Sequence, residues 1–320
     1  MLYEFALTPD VFHLALLDDK PVLGVILIQL LRGMCDNGLV ANLHKDRWLE
    51  YTKVRLERVS PDLKDKILSC FKTLHDRHRF VRHPRRLAGD PTNDSDWLEL
   101  ALESHRRIPF HGILLSQPLL SGSGYSELAF MELSEALDSP QWQGRRRSCT
   151  LTKCEIDYRT ALVPLLRHAK TLALIDPYFS CHETRFFDTV KICVELLGQR
   201  GHAVLPCRVH IHAGDPSSET TPERLNAWEK RLLPLIDSQH PHRFKVFLWK
   251  ARPGGETLHD RFILTDQCGI SVPAGLDCRL HSVPNSTTWG LLDEEDRIRR
   301  LLDYDPATSP FDLLGEREVK

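Results

Sequence analysis

Apolar and polar positions divide the chain into two unlike halves. In the first, the apolar run Leu2 to Leu7 reads as a strand that Thr8-Pro9-Asp10 brings to an end. Apolar residues then recur with a helical period from about Val22 to Val81. Within that stretch Ser60-Pro61-Asp62 marks a fresh helix start, with serine at the cap and proline in the first turn. Val22 to Leu31 is almost wholly apolar, which predicts a buried helix or strand. Ala88 to Ser95 has the composition of a loop, Asp94-Ser95-Asp96 caps a helix through Ser104, and Ile108 to Ser116 reads as a buried strand. This half is expected to be a helix-rich mixed domain.

From Glu155 onward the pattern becomes regular. Helices are expected over Asp157 to Ala169, Glu183 to Gly198 and Thr221 to Ser238, alternating with strands at Thr171 to Ile175, Cys207 to Ala213 and Phe244 to Trp249. Two short strands, Leu258 to Leu264 and Gly269 to Pro273, are joined by Asp266-Gln267-Cys268-Gly269 as a hairpin. Such alternation predicts an α/β fold, a sheet with helices on both faces, and the hairpin makes that sheet mixed. The segment Asp138 to Arg147 is the expected boundary, giving domains 1–148 and 149–320.

Composition narrows the class. Hydrophobic residues make up 42% and charged ones 27%, as in soluble globular proteins. No apolar run reaches 18 residues, and Val22 to Leu31 is too short to span a bilayer. The opening Met1 to Leu7 lacks the basic region and cleavage site of a signal peptide, so a cytoplasmic protein without membrane contact is expected. Nine cysteines at scattered spacings fit reduced thiols, and the one close pair, Cys149 and Cys154, lacks further ligands at zinc spacing. Neither a metal nor a cofactor is called for.

A net charge of -2 does not suit a nucleic-acid coat protein, so local clusters matter more. Arg77, Arg79, Arg82, Arg85 and Arg86 fall within ten residues, and Arg145-Arg146-Arg147 adds a second patch. Such runs neutralise phosphates or form solvated helix ends and linkers, and both readings stand for these two.

The chemistry concentrates in Thr257 to Asp266, where His259, Arg261 and Asp266 have the spacing H-x-R-x4-D. On a strand, Thr257, His259 and Arg261 would share one face and Leu258, Phe262 and Leu264 the other. Two near-copies are set aside because they sit in charged helical stretches with the wrong spacing or partner: His44-Lys45-Asp46, and Leu74 to Arg77 with Arg82 where an aspartate belongs. His210 and His212 share a strand face, which an ordinary half-buried strand explains.

The motif resembles that of the phospholipase D superfamily, H-x-K-x4-D, with arginine in place of lysine. Ile175-Asp176-Pro177-Tyr178-Phe179, the Leu258 to Arg261 segment and Ala274-Gly275-Leu276-Asp277 together look like the phospholipase D-like domain at the C-terminus of MIT-domain proteins and its bacterial relatives, over about residues 155 to 305. The resemblance implies a metal-independent phosphodiesterase in which His259 attacks phosphorus to give a phosphohistidine and Arg261 clamps the phosphoryl oxygens. Asp266 is grouped with them, as a turn residue that holds the loop or pairs with Arg261. Asp176, at a strand end, and Ser271, Asn285 and Glu294 downstream are candidate substrate-binding positions.

Because the superfamily builds one site from two motif copies and this chain carries one, a homodimer is implied. Bacterial single-motif relatives occur as nucleases in antiviral or restriction operons. That implies an antiviral-defence effector with partner proteins from the same operon. The arginine clusters favour nucleic acid, DNA or RNA, over lipid. The eukaryotic MIT-type members bind membranes and partners without catalysis, which implies the alternative: an inactive binding module recruiting a protein, nucleic acid or phospholipid.

Overall fold

A computed structural model describes the chain apart from residues 14–16, 18–19, 45, 84–88, 124–127, 200–206, 215–218, 237–241, 279–284 and 320. It divides into two compact units, Leu2–Arg146 and Arg147–Lys320.

The first unit is itself α/β. Five strands, β1 (Tyr3–Leu7), β2 (Gly38–Asn42), β3 (Phe80–Arg82), β4 (Gly112–Leu115) and β5 (Phe130–Glu132), form a sheet in the order β3-β2-β1-β4-β5. Every pairing is parallel. The unit is mixed and helix-rich, as expected: the stretch Val22 to Val81 holds helices Pro21–Asn37, Arg47–Leu56 and Pro61–Asp76, with β2 between the first two and β3 starting after the third, two strands that the helical period did not show. β2 and β3 are five and three residues long, too short to set up a period of their own beside amphipathic helices. Parallel strands are covered on both faces, and β2 and β4 are buried throughout. The helix cap after the 88–95 loop is Asn93, whose side chain accepts from the Asp96 amide at 3.1 Å while Asp96 returns the bond to the Asn93 amide at 3.2 Å.

The first arginine cluster serves this unit from within. Helix Pro21–Asn37 ends against the core, so its last carbonyls need donors. Arg77 Nη1 donates to the Cys35 carbonyl at 2.7 Å, and Arg79 Nη1 to the carbonyls of Asp36 and Gly38, each at 3.2 Å. From the second patch, Arg145 donates to the Gly33 carbonyl (3.1 Å) and to Asn37 Oδ1 (2.9 Å), and lies over the Trp142 ring. Burial pushes the Arg145 guanidinium down to about 10. Arg82 pairs with Asp46 at 2.5 Å. Of the two readings of this cluster, Arg77 and Arg79 fit a helix-end role, as caps that donate to carbonyls and not as nucleic-acid contacts; Arg85 and Arg86 lie outside the described residues.

The second unit carries an eight-stranded sheet in the order β13-β9-β8-β7-β10-β11-β12-β6. Its strands are β6 (Ser148–Thr152), β7 (Thr171–Asp176), β8 (Arg208–Ala213), β9 (Arg243–Lys250), β10 (Phe262–Thr265), β11 (Gly269–Ser271), β12 (Ser286–Leu291) and β13 (Asp312–Val319). The pairs β7–β8 and β8–β9 are parallel and the remaining five antiparallel, so the sheet is mixed, as expected. Helices Glu155–Leu166, Thr184–Gly198, Thr221–Leu232 and Glu294–Asp303 complete it. β6, β12 and β13 have no counterpart in the sequence reading. They flank the sheet, and the exposed residues of β6 and β13 blur the alternation that marks a strand.

His212, on β8, is 4% exposed, accepts a hydrogen bond from Trp249 Nε1 at 3.1 Å, and stacks on Phe247 at 4.7 Å. Burial, reinforced by His210, pushes its imidazole well below the ordinary range. It is a neutral core residue.

Two outcomes follow from these interiors. Arg79 is 3% exposed, so Arg79→Ala, which strands two carbonyls, should lower unfolding stability by about 2 to 3 kcal/mol in urea titration; an unchanged midpoint would refute the capping role. For His212, the unfolded imidazole takes up a proton at its ordinary value while the buried ring does not, so the unfolded state binds more protons as pH falls below about 6.5. Stability should drop from pH 7 toward 5 by up to about 1.4 kcal/mol per unit from this group, and His212→Phe should remove that share of the slope.

Candidate functional site

The carboxyl end of β7 and the start of β10 lie side by side, because the two strands are antiparallel with Phe262 opposite Ile175. Asp176 ends β7 with its carboxylate fully buried. The Tyr178 amide donates to Oδ1 and the Leu276 amide to Oδ2, both at 2.9 Å. The Arg261 Nε stands 3.5 Å from Oδ1. Burial pushes the Asp176 carboxyl above its usual range, and these three donors oppose that shift.

Arg261 is thereby fixed. Its Nη1 donates to the Pro273 carbonyl at 2.8 Å, and the guanidinium carbon lies 4.9 Å from the Tyr178 ring centre. The turn above Asp176 requires Gly275: its φ is +89°, and a Cβ there would lie 3.3 Å from both Asp176 Oδ2 and Asp277 Oδ1. Asp277 pairs with Lys153, whose Nζ also donates to the Ala274 carbonyl at 2.5 Å, and Arg185 stands 3.8 Å away. The Tyr158 hydroxyl donates to the Asp277 carbonyl at 2.9 Å, and burial pushes that phenol up.

On the other side of this loop a cleft of about 360 Å³ opens, lined by His259, Arg261, Phe262, Ser271, Arg299 and Arg300 among others. His259 is exposed. The segment Leu258 to Arg261 precedes β10 rather than belonging to it, which corrects the expected strand from Leu258. Leu258 still packs against the same cluster as Phe262 and Leu264, so the apolar half of the alternation holds beyond the strand. Among the described residues, no three ligand groups of the kind that hold a metal converge at this cleft.

The other expected residues separate into two sets. Ser271, opposite Phe262 on β11, reaches the cleft. Asp266 does not. It sits at the far end of β10, where its Oδ1 accepts from the amides of Lys170 (2.7 Å) and Thr171 (3.2 Å). Four strand residues separate it from Arg261, on the order of 15 Å along the strand, and Arg261 pairs with Asp176 instead. Glu294 also braces that far end: it binds Arg297 Nε at 3.0 Å and Nη2 at 2.6 Å, and Arg297 Nη1 donates to the Thr265 carbonyl at 2.9 Å. Asn285 is exposed before β12 and offers its carbonyl to the Lys153 amide at 3.1 Å. Asp266, Glu294 and Asn285 are therefore architectural.

Four residues were missed. Asp277 and Lys153 had no signal apart from the Ala274 to Asp277 string, since their pairing spans 124 positions. Arg299 and Arg300 lay in a charged stretch that any solvated helix would show.

No protein-family model and no curated protein matches the chain.

Removing the Asp176 carboxylate tests the arrangement. Asp176→Ala leaves the Tyr178 and Leu276 amides without their acceptor and should cost about 2 to 4 kcal/mol. Hydrogen exchange at these two amides should quicken well before that of β8. Unaltered exchange at both would mean that the carboxylate does not hold the turn.

Proposed function

We propose that the second unit is a metal-independent phosphodiesterase acting on nucleic acid, a divergent relative of the phospholipase D superfamily. The observation that carries this reading is the shared cleft: His259, Arg261 and Ser271 line one cavity of about 360 Å³, together with Arg299 and Arg300 and the acids Asp296 and Asp260 that pair with them. In the proposed reaction the His259 imidazole attacks phosphorus, forming an N–P bond as the leaving oxygen departs with a proton. Water then hydrolyses the phosphohistidine. Arg261 holds the phosphoryl oxygens with N–H groups that stay charged throughout. The proton donor is absent from a single motif, so this reading places it on a second copy of the chain, with two His259 side chains facing each other. An antiviral or restriction setting remains an implication of the resemblance.

One observation favours the binding-module reading. Arg261 already serves Asp176 and Pro273, and among the described residues no hydrogen bond orients the His259 ring. On that reading the same cleft retains a phosphate without turning it over.

Turnover on a panel of phosphodiesters decides between them. The enzyme should stay active in EDTA, and His259→Ala should be inactive yet folded, since an exposed ring contributes little packing. Arg261→Lys should retain activity, whereas Arg261→Ala should lose about 2 to 4 kcal/mol of transition-state stabilisation. Dependence on added magnesium, or wild-type turnover in His259→Ala, would rule the mechanism out. No turnover in any variant, with phosphate-ligand affinity lowered in Arg261→Ala, would establish the binding module.

A further inference from the structure

One wall of the cleft is formed by the helix Glu294–Asp303, and the two of its three arginines that line the cleft, Arg299 and Arg300, are held very differently. Arg300 is committed. Its guanidinium pairs with Asp260 at 3.1 Å and Asp303 at 3.0 Å, and lies 4.9 Å from the Phe262 ring centre, with the side chain 24% exposed. These contacts tie the residue beside His259 to the helix. Arg299 pairs with Asp296, three positions earlier on the same helix, at 2.7 Å; the two side chains are 63% and 45% exposed. An exposed pair of this kind contributes little, because both groups are well hydrated when apart. The guanidinium is thus free to exchange a carboxylate for another anion at small cost.

The cavity volume, about 360 Å³, falls within the usual range for ligand pockets of about 300 to 1,000 Å³ and exceeds what one phosphoryl group fills. A strand with one phosphate at His259 and Arg261 has its neighbouring phosphates beside the remaining residues of the same lining, Arg299 among them. We propose that Arg299 binds a second phosphate of a nucleic-acid strand, and that Asp296 is the internal anion that phosphate displaces. The inference rests on the phosphodiester reading of the cleft. It makes the ligand a polymer of phosphates, and it gives Asp296 and Arg299 effects of opposite sign.

Fluorescence anisotropy with labelled single-stranded ten-nucleotide DNA and RNA, titrated at several salt concentrations, tests this without requiring turnover. Arg299→Ala should weaken binding about fivefold and reduce the salt slope by roughly 0.7, the loss of one phosphate contact on a single strand. Arg299→Lys should restore most of both. Asp296→Asn should tighten binding several-fold, beyond the change given by Asp62→Asn, a control carboxylate in the other unit that is 81% exposed. The DNA and RNA arms identify the source of the phosphates.

Wild-type affinity and slope in Arg299→Ala would overturn the inference. So would an Asp296→Asn effect no larger than the control, or wild-type protein that binds neither strand but binds phosphatidylserine vesicles. The two readings fail separately. Hydrolysis by wild type with unchanged binding in Arg299→Ala removes only this inference; binding that responds to Arg299 and Asp296 without hydrolysis removes only the enzyme.

Discussion

The candidate site depends on one buried carboxylate. An ionised aspartate taken out of water is stable only if donors replace the lost hydration, and Asp176 is 0% exposed. Its donors come from three separate segments: the Tyr178 amide just after β7, the Leu276 amide beyond β11, and the Arg261 guanidinium before β10. Satisfying that charge therefore draws the end of β7, the start of β10 and the turn after β11 to one point. The antiparallel register of β7 and β10 makes this meeting possible, and Gly275 leaves room for it. Lys153 and Asp277 close the turn from behind.

That constraint explains why an arginine suits position 261. A guanidinium has five N–H donors in a rigid fork, so it can serve Asp176 and the Pro273 carbonyl while still facing the cleft. An ammonium on a flexible stem has three donors and no fixed plane. The guanidinium is thereby held with little rotamer entropy left to lose, its charge shared with Asp176. His259 is in the contrary situation, exposed on the segment before β10. Its orientation is the part of the site that the single chain leaves unspecified.

How much of this the sequence carried depended on the range of the interactions. β7, β8 and β9 and their helices were legible because each repeats a local period over six or more residues. His259, Arg261 and Ser271 line one cleft; the motif spacing set the first two side by side but did not fix Ser271. Of the two roles expected for Asp266, holding the turn is the one it fills; it does not pair with Arg261, because the spacing H-x-R-x4-D crosses a whole strand and residues five apart on an extended chain stand at opposite ends of it, whatever their chemistry. In the first unit the mixed, helix-rich character was legible while the strands β2, β3 and β5 were not, for the opposite reason. β3 and β5 have three residues each, below the length at which alternation can be distinguished from a helix end. Parallel pairing also joins residues dozens of positions apart, which no local period records.

Arginine counting failed in a more general way. Arg77, Arg79 and Arg145 looked like phosphate ligands, yet each donates to carbonyls at the end of helix Pro21–Asn37. Those carbonyls lie at a helix end, where no further amide of the helix can serve them. Withdrawing such an arginine for a ligand would leave buried acceptors unpaired, at about 1 to 3 kcal/mol each. An arginine paired with an exposed acid is different, since water rehydrates both groups when they part. The exposure of a cation's present partner, rather than the local density of positive charge, therefore sets the cost of turning it toward a ligand. By that measure Arg77 and Arg79 are costly to withdraw, Arg261 faces the cleft while keeping both of its partners, and Arg299, paired with exposed Asp296 in a helix whose first turn is acidic, can part from its partner at little cost.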